Sequence, residues 1–537
     1  MKRFRFVFAL FLGSAALVCS ALATDILTNR GNNARTGLNA HETILTKSLV
    51  SSSSFGLLYN KPVDGQVYAQ PLYVSNQLII VNGQSRGGHN VLYVATEHDS
   101  LYAFDADSGV QYWKTSLLGS GESSVPSSDL NFTAIEPEVG ITATPVIDRN
   151  AGPHGTIFVV AMSINATNVL YRIHGIDLAT GKDRITPVII SASVSGTGPA
   201  TTFVAKHQLN RAGLLLLNHI IYTCWASFDD IPPYAGWIIA YNENNFSSTV
   251  AVFNTDPNGP INETNDNLHG SGNSIWQSGN GPAVDANNNV YVATSNGPFD
   301  NLNSSGFPAH GDYGDSVLKL TVTNGIAVFD YFTPFDQLAS SAVDRELGSG
   351  GPMVLNIVDS TGHSWPLLYQ AGKDGNVYLL NRNSLGKFHS TNQIYQEIPN
   401  GVPNGVWSSP AYFNGSIYAG LGPEGGTGPL IQFQIDFTNP QLPLLKSTPV
   451  SSTTLQFNFP GATPTVSSNG TTNGIVWAYE RNALGHAHLH AYDATNLKTE
   501  LFHSAVIGSA VKFAVPTVCN GKVFVGTANS IAAFGEK

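Results

Sequence analysis

The sequence predicts an all-β chain: an eight-bladed β-propeller of four-stranded antiparallel blades, its last blade closed by an N-terminal strand. Three observations predict it. A strand–turn–strand unit recurs eight times between Pro71 and Gly535. The unit starts lie 52 to 74 residues apart, longer than a minimal blade of about 40–45 residues. The eighth copy ends one outer strand short, while one strand-like run near the N-terminus is left over. A sandwich array would also give short strands and frequent turns. A ring is favoured because radial repetition leaves only short sheet edges.

The clearest copy is Leu92 to Trp113, LYVATEHDSLYAFDADSGVQYW. Tyr93-Val94-Ala95-Thr96 and Leu101-Tyr102-Ala103-Phe104 are β-branched and aromatic runs, which read as strands. Between Phe104 and Trp113 lies Asp105-Ala106-Asp107-Ser108-Gly109. An Asp there accepts from nearby backbone amides and Gly supplies the positive φ of a tight turn. This copy belongs to the unit that begins at Pro71; further units begin at Pro145, Leu214, Pro282, Pro352, Pro410, Pro464 and Pro516. One unit buries only part of its apolar surface, so the copies must stack.

Residues 1–23 read as a signal peptide. Lys2, Arg3 and Arg5 precede a short apolar run, Phe6 to Val18, and Ala21-Leu22-Ala23 offers small residues for cleavage. The run falls short of the about 20 apolar residues of a membrane span, and no later stretch is apolar enough. The expected location is secreted or periplasmic. Residues 24–54 form a polar lead-in, outside a single propeller domain over 55–537. Within it, the run from Phe55 to Val63 is expected to complete the last blade.

Charged residues make up 12% of the chain, about half the usual share. Without the leader, 23 Lys and Arg face 37 Asp and Glu, a net charge of −14. That disfavours nucleic acid and anionic membrane surfaces as partners. Beyond residue 23 only Cys224 and Cys519 remain, so no disulfide network holds the fold. There is no GxSxG, HExxH or P-loop, which removes the common hydrolase, zincin and nucleotide chemistries. Two long insertions, Ser116 to Ile141 and Val252 to Gly281, are loops of functional length.

AFDADSGVQYW, its weaker copies GIDLATG, AYDATN and LLNRNSLG, and the opening PVDGQVYAQPLYV resemble the repeats of the pyrroloquinoline quinone (PQQ) dehydrogenases. The resemblance covers nearly the whole chain past the leader and implies a cofactor pocket on the ring axis. It implies that Thr142 and Trp276 touch the quinone, Trp276 as the floor under the ring. It implies that Lys373 polarises the quinone oxygens, that Asn296 is an amide ligand to calcium and that Asp344 is the catalytic base. Each has a plainer reading as blade packing, turn or solvated loop. Where the family places its acidic calcium ligand, this chain has Ala166 and Thr167. Calcium wants several hard oxygens, usually with carboxylate, so a Glu at either position is expected to strengthen calcium-dependent PQQ binding. The family's paired adjacent cysteines are missing and there is no CxxCH haem motif.

These departures make no cofactor certain, with PQQ and calcium the two that the resemblance admits. The expectation is a partial, relic quinone pocket on a propeller that binds a protein, glycan or small-molecule partner on its face. The rival is a PQQ-dependent dehydrogenase acting on an alcohol or sugar. A separate candidate metal set is His486, His488 and His490, which alternate in HAHLHAYD. On a strand they share one face at about 6.6–7 Å spacing, long for three ligands on one ion. Incidental metal affinity of a polar strand face is the alternative.

Overall fold

The computed structural model describes residues 24–259, 272–439 and 441–537. The expected leader, residues 1–23, and part of the second long insertion lie outside the described residues. Eight antiparallel sheets follow one another along the chain and form an eight-bladed propeller. The first blade runs from Leu72–Val81 to Gln111–Ser116, the second from Val146–Asp148 to Asp183–Ile189 and the third from Leu215–Leu217 to Asn245–Asn254. The fourth spans Ala283–Val284 to Ala327–Phe332 and the fifth Met353–Val358 to Gln396–Ile398. The sixth begins at Ala411–Phe413; its outer edge is shared by two short strands, Leu444–Leu445 and Ser451–Ser452. The seventh runs from Thr465–Asn469 to Glu500–His503.

The eighth blade has the order Phe55–Pro62, Ser530–Glu536, Lys522–Gly526, Thr517–Cys519. The N-terminal strand therefore closes the ring, pairing Phe55 with Glu536 and Pro62 with Ser530 in antiparallel register. Phe55 is buried against Trp477 and Phe502 of the seventh blade. An open edge at this seam would expose a row of unpaired backbone groups.

The repeated turn forms as its residues dictate. Asp105 Oδ1 accepts from the amides of Asp107 and Ser108 at 3.1 and 2.8 Å, and Gly109 has φ 70°. Asp177 does the same for Ala179 and Thr180 at 3.1 and 3.0 Å, with Gly181 at φ 69°. These turns also dock blade on blade. Trp113 Nε1 and Tyr93 OH of the first blade both donate to the Leu178 carbonyl of the second.

The lead-in is the part that differs most from expectation. It is not peripheral; it closes one end of the axis. The innermost strand of each blade has one edge facing the channel, and the segment 26–39 meets these edges in blade order. Ile26 exchanges both backbone hydrogen bonds with Tyr73, and Leu27 O accepts from Ile147 N. Asn33 Nδ2 donates to Leu216 O, while Asn33 O accepts from Val284 N. Ala34, Thr36 and Gly37 carbonyls accept from Val354, Tyr412 and Val466 amides. Asn39 Nδ2 reaches Val518 O of the eighth blade. Thus one strap ties all eight blades.

Two arginines anchor the strap. Arg35 Nε donates to Pro282 O at 2.9 Å and its NH1 to Asn29 O and Thr28 Oγ1 at 2.7 and 2.8 Å. Arg30 NH2 donates to Pro410 O at 2.6 Å. Both are fully buried, and burial pushes both guanidinium pKa values down to about 9. Carbonyls, not carboxylates, face both groups, and Arg30 Nε and NH1 have no hydrogen-bond partner among the described residues. Cys224 and Cys519 are buried and unpaired. No helix among the described residues is long and apolar enough to cross a membrane.

Candidate functional site

The other end of the axis is open. The chain enters each innermost strand along the channel, so residues just before it stand away from the strap. In the fourth blade Trp276 lines this upper cavity, while Pro282 and Val284 bond the strap below. The cavity is about 340 Å³. Its aromatic wall is Tyr68, Phe132, Trp276, Trp407, Phe459 and Phe513; its charged groups include Arg211, Asp344, Glu346 and Lys373. The first long insertion contributes Phe132, Ala134 and Ile135.

Lys373 stands in the turn between the second and third strands of the fifth blade. Its Nζ donates to Asp344 Oδ1 and Oδ2 at 2.8 and 3.0 Å and pairs with Glu346 Oε1 at 2.9 Å. It also lies 6.0 Å above the Trp276 ring, a cation–π distance. Burial lowers the Lys373 pKa, but Glu346 and Asp344 more than offset this, so the ammonium is held firmly charged. Burial raises the Glu346 pKa, Lys373 opposes that, and Trp276 Nε1 donates to Oε1 at 3.0 Å. Asp344 is different: its side chain is 60% exposed, and its backbone is left-handed at φ 57°. Asn296 Nδ2 donates to Asp344 Oδ1 at 2.7 Å, while the buried Asn296 Oδ1 has no hydrogen-bond partner among the described residues.

Trp276, Asp344 and Lys373, predicted from sequence, therefore meet in one cavity, with Asn296 directly behind Asp344. Thr142 does not reach the cavity lining. Its Oγ1 donates at 3.0 Å to Glu97 Oε2, which also accepts from Gly140 N at 2.8 Å. Burial raises the Glu97 pKa to about 7, and Glu97 Oε1 has no partner among the described residues.

Ala166 and Thr167 are the exposed tip of a tight hairpin in which Asn165 pairs with Asn168. Neither lines the cavity, so the expectation that an acid there would complete a calcium site is corrected. Glu346 already brings a carboxylate to the Lys373–Asp344 pair. The histidine set also fails to converge. His490 Nδ1 and Nε2 face Glu500 and Glu480 at 2.7 and 3.1 Å, leaving neither ring nitrogen free for an ion. His488 Nδ1 sits 3.2 Å from Ser504 O.

Sequence reasoning missed Arg211, which lines the cavity. It is buried, donates to Ser278 O at 3.3 Å and stacks 5.1 Å from the Phe513 ring centre. Burial pushes its pKa down to about 10, with Tyr68 and Glu97 opposing. No carboxylate pairs with it among the described residues. The available signal was a lone Arg in QLNRAGLLLL of a charge-poor chain.

No protein-family model matches the chain, and no curated protein matches it in sequence. Solved structures do match. A quinohemoprotein alcohol dehydrogenase from Comamonas testosteroni is 15% identical with a TM-score of 0.63, covering 95% of this chain and 80% of its own. A quinohemoprotein alcohol dehydrogenase from Pseudomonas putida is 12% identical at TM-score 0.61, covering 96% and 80%. A europium-containing methanol dehydrogenase is 13% identical at TM-score 0.61, covering 95% and 98%. The shared feature is the fold. At these identities the likeness speaks for the eight-bladed architecture and leaves the activity to the site itself.

Proposed function

We propose that this is an exported propeller whose axial cavity binds a flat, ring-shaped small molecule carrying an anionic group. The observation that carries the reading is Arg211. A buried charge without a partner is costly, and this guanidinium has one carbonyl, aromatic neighbours and an open cavity beside it. A ligand carboxylate would complete it bidentately. Trp276 and Phe513 offer faces for a ring, and the Lys373 ammonium lies 6.0 Å over the Trp276 ring. Export rests on the basic, apolar and small-residue pattern of residues 1–23.

The second reading is a PQQ-dependent dehydrogenase, favoured by one specific arrangement. Asp344 and Glu346 bring two carboxylates to Lys373, and Asn296, whose Oδ1 has no partner among the described residues, bonds Asp344 through its amide nitrogen; carboxylate and amide oxygens are the donor types a calcium-like cation takes. The residues fit the group: Arg211 and Lys373 would hold its anionic oxygens and Trp276 its plane. PQQ, when bound, supplies a two-electron acceptor. Asp344, the solvent-facing carboxylate, would take a hydroxyl proton. The buried Glu346 would hold Lys373 in place.

Calorimetric titration with PQQ, with and without calcium, tests both. Saturable binding that weakens at least tenfold in Arg211→Met supports the anion-binding cavity. Calcium-dependent binding with alcohol-dependent dye reduction, lost in Asp344→Asn, supports the dehydrogenase. Binding without turnover leaves the first reading alone. Failure of PQQ and of a panel of aromatic carboxylates to bind overturns both.

A further inference from the structure

A second cluster of ligand-type side chains lies between the second and third blades, at the strap end of the ring. Asp148 ends the innermost strand of the second blade. His219 sits in the turn after Leu215–Leu217 and Glu243 in the turn after Trp237–Asn242, both in the third blade. One donor atom from each lies within 4.8 Å of the other two.

The cluster is built rather than incidental. Glu243 is only 2% exposed, and its Oε2 is buried with no hydrogen-bond partner among the described residues. Its Oε1 faces His219 Nδ1 at 2.6 Å. The Asp148 carboxylate lies against the same group, a like charge that burial makes more costly. Arg184 is the cation at hand, yet it donates to the Glu243 carbonyl, Thr156 Oγ1 and Asn244 Oδ1. It buttresses the Glu243 turn and bonds neither carboxylate, leaving His219 as the group that faces Glu243 Oε1. Asn150 N holds Asp148 Oδ1 at 2.7 Å and so orients the carboxylate. Two carboxylates and an imidazole nitrogen thus converge on one point between the two blades.

We propose that Asp148, His219 and Glu243 bind a divalent transition-metal ion of the zinc class, which staples the second blade to the third. One nitrogen and two oxygens with a water suit tetrahedral Zn²⁺, with bonds of about 2.0–2.2 Å and ligand atoms about 3.4 Å apart. His219 Nδ1 and Glu243 Oε1, now 2.6 Å apart, would spread to that separation around the ion, and His219, 75% exposed at its side chain, is free to shift. Calcium is disfavoured, because the set has an imidazole and too few oxygens. The open fourth position faces solvent on the exposed His219 side, while the buried Glu243 fixes the other. This site is remote from Arg211 and Lys373, and its fate is independent of theirs.

The test is calorimetry and thermal unfolding of the purified, chelator-treated protein with zinc, and with calcium as the control ion. His219→Asn is the first variant, because His219 has φ 64° and Asn tolerates that region. One equivalent of zinc is expected to bind and to raise Tm, with no response to calcium. His219→Asn and Asp148→Asn are each expected to weaken binding by at least about 100-fold, since even ligand-supporting residues cost 10–100-fold. Unchanged zinc affinity in both variants, or no saturable binding by the parent protein, overturns the site. His219→Asn is an exposed change, so retained folding keeps the result readable if Asp148→Asn is unstable.

Discussion

The two ends of the ring axis solve the same problem in opposite ways. Both hold buried arginine. At the closed end Arg30 and Arg35 are enclosed by carbonyls of the strap and of the innermost strands, and the whole strap 26–39 bonds the blades in order. At the open end Arg211 meets a single carbonyl, and Lys373 is held by two carboxylates beside an empty volume. One end spends its backbone polar groups on closure. The other leaves side-chain charge facing a cavity. Closure encloses its charge in backbone away from water, at the cost of leaving Arg30 Nε and NH1 without partners among the described residues, while the open end keeps its charge on the wall of a cavity that a ligand can enter.

The comparison breaks most visibly if the strap is removed. Deleting residues 24–50 keeps the closing strand Phe55–Pro62 but strips partners from strand edges in all eight blades. The expected outcome is loss of cooperative folding, or a fall in Tm above about 10 °C, since each orphaned buried group costs about 1–3 kcal/mol. A Tm close to that of the intact chain, by circular dichroism, would show that the strap is ornamental.

The next largest effect belongs to the open end. Lys373→Ala leaves Glu346 buried without its cation and is expected to cost about 3 kcal/mol near pH 8. The Glu346 pKa is already raised by burial, and it rises further without Lys373. A raised carboxyl binds its proton more tightly when folded, so the stability it lends is present at low pH and is lost as pH rises above about 4.5. Denaturant midpoints of the variant should therefore recover towards the parent's at pH 4–5. A pH-independent gap would refute the charge account.

Glu97 allows a gentler test between the two ends. Its pKa of about 7 in the fold means that charging it penalises the folded state progressively from about pH 4.5 to 7. Glu97→Gln keeps an acceptor for Gly140 and Thr142 and removes the charge. It is expected to stabilise by about 1–3 kcal/mol at pH 8 and to do little at pH 4. Urea unfolding at the two pH values reads the difference directly.

The smallest effect is expected at Ala166→Glu. The hairpin tip is exposed, so stability should change by less than about 0.5 kcal/mol, and calcium-dependent PQQ binding should not improve. A clear gain in calorimetry would mean that the hairpin folds over the cavity.

What the sequence alone determined is whatever local chemistry enforces. Alternating β-branched and aromatic runs fixed the strands, and Asp105 and Asp177 with their following glycines fixed the turns, because these hydrogen bonds close within four residues. Counting the units left one strand over and one strand missing, which located the closure at Phe55–Pro62. The match to quinoprotein repeats brought out Trp276, Asp344, Asn296 and Lys373, since each sits at a fixed offset from a recognisable strand.

Tertiary structure alone decided the rest. Nothing local tells that Asn33 bonds to Val284, that Asp148 meets Glu243, or that Arg211 has no acid beside it. Those facts depend on how eight sheets close about one axis, and a polar residue in a lead-in looks the same whether it meets water or the core. The alternation of His486, His488 and His490 was legible as spacing, yet Glu480 and Glu500, brought in by neighbouring strands, decide what His490 does. Spacing sets which side chains share a face; only the completed ring sets what that face meets.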